Sequence, residues 1–531
     1  MIVVITVILY IFNYRVKRYR GQRPNILFCL GDDISFPHMG AYGCSWVSTP
    51  AFDRVASEGV IFMNAYTPNA KSAPSRAAIL TGRNSWQLEE AANHFCYFPQ
   101  AYKTYAEVLD ENGYFVGSTG KTWAPGDPGT INGKRRELTG PEWSDLKLKP
   151  STTGISNIDY AGNFRKFLDD KPENEPFCFW FGSLEPHRSY EYGSSLRLSD
   201  LRPEMINTGP GFWPDNEIVR TDMLDYSYEI SHFDEHLGRM LEILSERGML
   251  ENTIIVVTAD NGMPFPRAKG QEYEYSNHMP LAIMWKKGIR KPGRKVDDYV
   301  SFIDFAPTFL ELAGIKEPET GMQKITGRSL TDLLVASDRK KTHTERESVL
   351  IGKERHDIGR PDDQGYPIRG LVRNGYLYLR NFRTDRWPAG NPETGYLNVD
   401  GSPTKTEVLK TLKIDSLRRY WELSFGKRDE EELYNISLDP FCLNNLADSA
   451  GYEELKNDCS AELMRRLTDE GDPRVLGQGD TFDKYLYSGK ERDFYNRRMN
   501  GDTLIPSWVN RDDFNYIPDE DQYSGIINKK D

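Results

Sequence analysis

Cysteine, positive charge and long apolar runs are all in short supply in this 531-residue chain. Its six cysteines (29, 44, 96, 178, 442 and 459) are too few for so long a chain to rest on a disulfide framework. Cys29 and Cys178 lie in strongly apolar runs and read as buried thiols. Cys442 and Cys459 are near enough in sequence to pair, which spacing alone does not decide. Acidic residues outnumber basic ones, 79 to 67, leaving a net charge of −12. That balance argues against nucleic acid as a partner, and a polyanionic substrate would have to meet a local cationic pocket. The apolar run at residues 2–12, followed by Arg15, Lys17, Arg18 and Arg20, falls short of the ~20 residues a spanning helix needs. It also lacks the charged start and small-residue cleavage site of a regular signal peptide. An atypical export signal or a short anchor is expected, with the protein in a bacterial periplasm or cell envelope. Membrane association stays open, the alternative being an apolar tail packed on the domain. No internal repeat or low-complexity segment stands out.

What is present is a globular composition, 38% hydrophobic, in a chain long enough for a large catalytic domain and a smaller one. Apolar runs end abruptly in polar clusters. Residues 25–31 run into Asp32-Asp33, and residues 253–259 into Asp260-Asn261-Gly262. Residues 114–119 end at Gly120-Lys121, and residues 177–183 end near Glu185 and His187. Helical patterns at 101–112, 160–170 and 222–247 lie between them. Continuous apolar strands alternating with helices predict an α/β fold, a mostly parallel sheet covered on both faces. Ligands of such sheets bind beyond the carboxyl ends of the strands.

Asp32, Asp33, Asp260 and Asn261 together offer three carboxylates and an amide oxygen. Hard oxygen donors without sulfur or imidazole suit Ca²⁺, or Mg²⁺, better than Zn²⁺. Three like charges brought together would repel without a cation among them. Taken singly, each pair could be a strand-end turn.

Ser72-Ala73-Pro74-Ser75-Arg76 runs on into Leu80-Thr81-Gly82-Arg83. Proline suits the first turn of a helix, so the string predicts a helix entered near Pro74 with Ser72 just ahead of it. Free N–H groups and the helix dipole there favour an anion, and Arg76 adds a permanent charge. The string resembles the signature of the type I sulfatases, in which a Cys or Ser at this position is oxidised to formylglycine. Ser72 makes the chain similar to the serine type, over about residues 23–450, with the alkaline-phosphatase-like fold of that family. The resemblance implies one divalent metal, calcium or magnesium, held by Asp32, Asp33, Asp260, Asn261 and the formylglycine from Ser72. It implies catalytic roles for Ser72, Arg76, Lys121, His187 and Lys269, and a separate maturation enzyme that oxidises Ser72. The implied route is covalent: one hydroxyl of the hydrated aldehyde attacks sulfur, and the second later expels sulfate. The leaving alcohol or amine takes its proton from His187 or Lys269. An unmodified serine has no second hydroxyl for the expulsion.

Asp260-Asn261-Gly262-Met263-Pro264-Phe265-Pro266, with Pro186-His187-Arg188, is similar to the N-sulfoglucosamine sulfohydrolase branch. That implies N-sulfated glucosamine of heparin or heparan sulfate as the glycosaminoglycan substrate, with an O-sulfatase on another sulfated glycan as the alternative. Trp123, His94 and Glu89 are expected sugar-pocket residues, though each could equally be buried structure. Lys121-Thr122-Trp123 departs from the family's Lys-x-His triplet, and an indole N–H accepts no proton. His94, His187 or a metal-bound water would then have to serve as base.

A rival motif, His232-Phe233-Asp234-Glu235-His236, matches the inverted zinc-peptidase pattern. His232 also falls on the apolar stripe of an amphipathic helix with Leu224, Tyr228, Leu237, Leu241 and Leu244. A third possibility is a non-catalytic binder of sulfated sugar, should Ser72 never be oxidised. The expected organisation is an N-terminal segment (1–22), a catalytic domain (23–345), a C-terminal α+β subdomain (346–480) and a tail (481–531) with no assigned role. Asn374-Gly375 within residues 366–382 signals a hairpin, and Glu432-Leu433-Tyr434-Asn435 resembles the closing motif of the sulfatase C-terminal subdomain. A helix is expected near 452–468.

Overall fold

Seven strands form the central sheet: β1 (Asn25–Gly31), β2 (Val60–Tyr66), β3 (Phe115–Gly120), β4 (Phe177–Gly182), β5 (Thr253–Ala259), β6 (Leu281–Met284) and β7 (Arg294–Ser301). The computed structural model describes residues 23–336 and 346–519, so the apolar run at 2–12 lies outside it. The strand order is β7-β2-β6-β5-β1-β4-β3, and β6 alone runs against its neighbours. The fold is α/β with a mostly parallel sheet, as the alternation of apolar runs and helices predicts. β4 and β5 are buried along their whole length, which is why they read as unbroken apolar runs and not as alternating ones. Helices α2 (Tyr160–Asp170) and α3 (Glu217–Glu246) pack on each other beside the sheet. No helix among the described residues is long and apolar enough to cross a membrane.

Register decides which residues share an edge. Gly31 of β1 lies opposite Ala259 of β5, so Asp32 and Asp260 leave the sheet at one level. Gly120 of β3 pairs with Gly182 of β4, which places Lys121 beside them. Both glycines are required there. A Cβ on Gly120, at φ 74°, would stand 2.2 Å from the Gly182 carbonyl oxygen, and one on Gly182 would stand 1.8 Å from that of Lys121.

Helix α1 (Ser72–Thr81) starts two residues earlier than the proline predicts: Lys71 is the N-cap and Ser72 the first helical residue. Pro74 still falls in the first turn, where a missing N–H leaves no bond unmade. All ten residues of α1 are buried, and Gly82 closes it in the left-handed region.

The second sheet is antiparallel, β8 (Ser348–Lys353), β9 (Ile368–Arg373), β10 (Tyr376–Asn381) and β11 (Glu431–Asn435) in sequence order. Asn374 and Gly375 turn the β9–β10 hairpin with φ of 50° and 75°, the geometry of a type I′ turn. Helix α4 (Glu453–Asp469) packs on this sheet. All six cysteines are free, and Cys442 and Cys459 sit in separate apolar clusters. The rival histidines lie on α3 with ring centroids 4.8 Å apart. His236 faces inward against the Ala161 N–H while Glu235 is exposed, and neither histidine joins a metal-ligating group among the described residues.

Candidate active site

The strand ends converge on Ser72. Its hydroxyl donates to Asp32 Oδ1 at 3.2 Å, lies 3.4 Å from Asn261 Oδ1, and accepts from Lys121 Nζ at 3.1 Å. Ser72 is only 1% exposed, but the groups around its hydroxyl are polar. The side chains of Lys121 and His187, 14% and 34% exposed, mark the way out to solvent.

Ligand oxygens of Asp32, Asp33 and Asp260 all lie within 4.8 Å of one another, and all three residues are buried. Asp260 Oδ1 accepts the backbone N–H groups of Asp33 (3.1 Å) and Asn261 (2.8 Å), and Asn261 Nδ2 donates to Asp33 Oδ1 at 2.7 Å. This close, buried, all-oxygen set fits a divalent cation of the Ca²⁺ or Mg²⁺ type. Asn261 Oδ1 supplies a further neutral oxygen facing Ser72.

Three cations of the chain brace these acids. Arg76, fully buried, donates to Asp260 Oδ2 (2.9 Å), Asp32 Oδ1 (3.3 Å) and the carbonyls of Lys121 and Thr122 (2.7 and 2.9 Å). Lys121 Nζ lies 2.5 Å from Asp32 Oδ2. Burial would raise the Asp32 pKa, but Lys121, and after it Arg76, outweigh that and hold it at about 2. Lys269 Nζ bonds Asp33 Oδ2 at 2.7 Å and Asp400 Oδ2 at 3.0 Å.

His187 stands over this group. Its Nδ1 is 2.7 Å from the Arg188 carbonyl, so in the neutral ring the proton sits there and Nε2, 3.9 Å from Asp33 Oδ2, keeps its lone pair. Arg188 holds the histidine's loop with two 2.8 Å bonds to Asp222 on α3 and one of 2.8 Å to the Pro264 carbonyl.

His94 reaches the site through a relay: its Nδ1 is 3.2 Å from Asp357 Oδ1, and Asp357 Oδ2 is 2.9 Å from Lys71, the residue before Ser72. Burial pushes the His94 pKa down to about 4. Trp123 is 3% exposed, edge-on to Phe98, and its indole N–H donates to the Ala73 carbonyl at 3.0 Å. It braces the Ser72 turn from behind, which is the buried one of the two readings its sequence allows. Glu89 is exposed on the short turn Glu89–Ala92, 3.4 Å from the Tyr102 hydroxyl.

Sequence reasoning missed Asp400, Asp357 and Lys71. The two acids lie in irregular loops after residue 350 with no motif around them, and only the fold brings them to the edge of the sheet.

A sulfatase family model matches residues 24–315. The chain belongs to the sulfatase family. It is a hydrolase of sulfate esters or sulfamates, of a family that works through formylglycine and a divalent metal. Among the relatives of this sulfatase, an ulvan-active sulfatase of Formosa agariphila is 28% identical over 517 residues, covering 88% of this chain and 78% of that protein. Human N-sulphoglucosamine sulphohydrolase is 26% identical over 462 residues, covering 79% and 87%. An N-acetylglucosamine-6-O-sulfatase of Bacteroides thetaiotaomicron is 28% identical over 575 residues, covering 91% and 92%. A protein solved with its substrate D-glucosamine-2-N,6-O-disulfate shares the fold, with a TM-score of 0.58 at 21% identity over 85% of this chain and 99% of that one.

Proposed function

We propose that this sulfatase removes sulfate from a sulfated glycan, with N-sulfated glucosamine of heparin or heparan sulfate as the preferred substrate and Ser72, oxidised to formylglycine, as nucleophile. The observation that carries the reading is the placement of Ser72 Oγ between Asp32, Asn261 and Lys121. A Ca²⁺ ion bound by Asp32, Asp33, Asp260 and Asn261 would supply positive charge to the sulfuryl oxygens and lower the pKa of the attacking hydroxyl. Arg76 holds Asp32 and Asp260 in place for it. Lys121 and Lys269 supply fixed positive charge to the sulfuryl group. His187 would act as the imidazolium, with Nδ1–H held by the Arg188 carbonyl and a second proton on Nε2 to pass to the leaving atom.

Asp400 favours nitrogen as that atom. Ligand atoms of Asp33, His187 and Asp400 lie within 4.8 Å of one another, so a carboxylate stands beside the group that protonates the product. N–S cleavage leaves an ammonium, which a buried carboxylate stabilises, whereas O–S cleavage leaves a neutral hydroxyl. The human relative's activity and the Asp260–Pro266 string support the same branch. The test is sulfate release from N-sulfated against 6-O-sulfated glucosamine. Faster release from the N-sulfated sugar is expected; release from the O-sulfated sugar alone overturns the preference and leaves the O-sulfatase alternative.

A further inference from the structure

The chain beyond residue 480 carries no motif, yet it ties together the loops that bear Asp400, Asp357 and His94. The Tyr485 carbonyl accepts from Arg355 Nη1 at 2.6 Å, and the Arg355 carbonyl in turn accepts the His94 N–H at 3.0 Å. The Ser488 N–H donates to the Phe95 carbonyl at 2.7 Å, and the Phe95 ring lies against Tyr487 and Trp508 with centroids 4.9 and 6.2 Å away. Trp508 brackets Asp400. Its indole N–H donates to the Leu397 carbonyl at 3.0 Å, and its own carbonyl accepts the Gly401 N–H at 2.7 Å. Farther along, Asp513 and Lys405 form a 2.9 Å ion pair with both side chains fully buried. The same ammonium donates at 2.8 Å to the carbonyls of Gly395 and Val399 in the Asp400 loop. Among the described residues, none of the segment's hydrogen bonds reaches Asp32, Asp33, Ser72, Asp260 or Asn261.

The pocket therefore has two walls of different origin. The sulfate wall is built from sheet ends and α1 and is braced internally by Arg76 and Lys121. The opposite wall is loop, and loops hold a geometry only where something outside them fixes it. We propose that residues 485–516 are a specificity strap: they hold Asp400 and the His94–Asp357 pair at the spacing that recognises an amino sugar, and leave the sulfuryl chemistry to the sheet ends. The inference rests on the sulfoglycan reading above and adds the element that selects the sugar. Asp400, and His94 through the Nε2 that its bond to Asp357 leaves free, accept from ammonium or hydroxyl groups. A ligand without such donors makes fewer bonds on this side and binds more weakly.

The experiment uses full-length mature protein with Trp508→Phe or Asp513→Asn. Steady-state constants are measured for N-sulfated glucosamine and for 4-nitrophenyl sulfate, which presents a sulfate without a sugar. Calorimetric binding of glucosamine is measured on the same preparations. The strap predicts a KM for the sugar raised about tenfold, glucosamine binding weakened to match, and kcat/KM for the aryl sulfate within about twofold of the parent. An equal fall on both substrates, or an unchanged sugar KM and glucosamine affinity, overturns it. Should Asp513→Asn fail to fold, Trp508→Phe decides alone, since it keeps an aromatic side chain there and removes the indole N–H that holds the Leu397 carbonyl. Should the parent release no sulfate from either compound, the sulfatase reading fails while glucosamine binding still judges the strap.

Discussion

Lys269 stands between two buried carboxylates, 2.7 Å from Asp33 and 3.0 Å from Asp400. It joins the acid-bearing edge of the sheet to the loop that carries Asp400. Burial would lower its pKa, but Asp33 and Asp400 outweigh that and hold it above the ordinary lysine value. Lys269→Met leaves both acids unpaired, a change that costs about 3–5 kcal/mol where a buried pair is broken. If Lys269 supplies charge to the sulfuryl oxygens as proposed, its loss should lower kcat by about 100-fold or more. Denaturant unfolding and steady-state rates on one preparation check both effects, and a variant with parental kcat contradicts the role.

Arg76 contacts two carboxylates and two carbonyls from one planar group, which a lysine cannot span. Arg76→Lys is expected to lose about 3 kcal/mol of stability and the calcium response with it. Urea titration in calcium and in chelator reads both.

Metal removal should be visible without turnover. If Asp32, Asp33 and Asp260 hold Ca²⁺, chelation lowers the melting temperature, by about 2.7 kcal/mol equivalent at 100-fold saturation. Asp33→Asn should abolish that shift. One zinc per chain in place of calcium would revive the peptidase motif on α3.

His94 titrates near 4 in the folded chain, below the ~6.5 of an unperturbed histidine. Between those values the unfolded chain binds the extra proton, so this contribution raises stability with pH and is lost as pH falls from about 6.5 to 4. Asp357 is held below the ordinary range because Lys71 and His94 outweigh its burial. Its contribution is present above about pH 4 and fades below it. His94→Gln should flatten the slope between pH 6.5 and 4 in chemical denaturation; an unchanged slope contradicts the assignment.

The parallel core strands were legible because burial on both faces leaves an apolar run with no alternation to blur it. Their ends were legible because Asp32, Asp260 and Lys121 follow those runs directly. The antiparallel β6 was not, since four apolar residues after Pro280 fit a strand of either direction or a buried turn. Asp400 and Asp357 were invisible for a different reason. They come from loops after residue 350 whose positions depend on Lys269, Lys71 and the C-terminal segment, contacts spanning up to 286 residues. Trp123 stayed open between sugar pocket and buried structure because a lone tryptophan beside Lys121 looks alike whether it faces a sugar or the Ala73 carbonyl.

The most direct measurement is the mass of the peptide containing Ser72 from protein matured in its own host, taken alongside sulfate release from N-sulfated glucosamine. The account predicts a peptide lighter by two hydrogens, marking the aldehyde, and sulfate release that disappears in Ser72→Ala. An aldehyde-bearing protein that releases no sulfate, or release that survives Ser72→Ala, would contradict it.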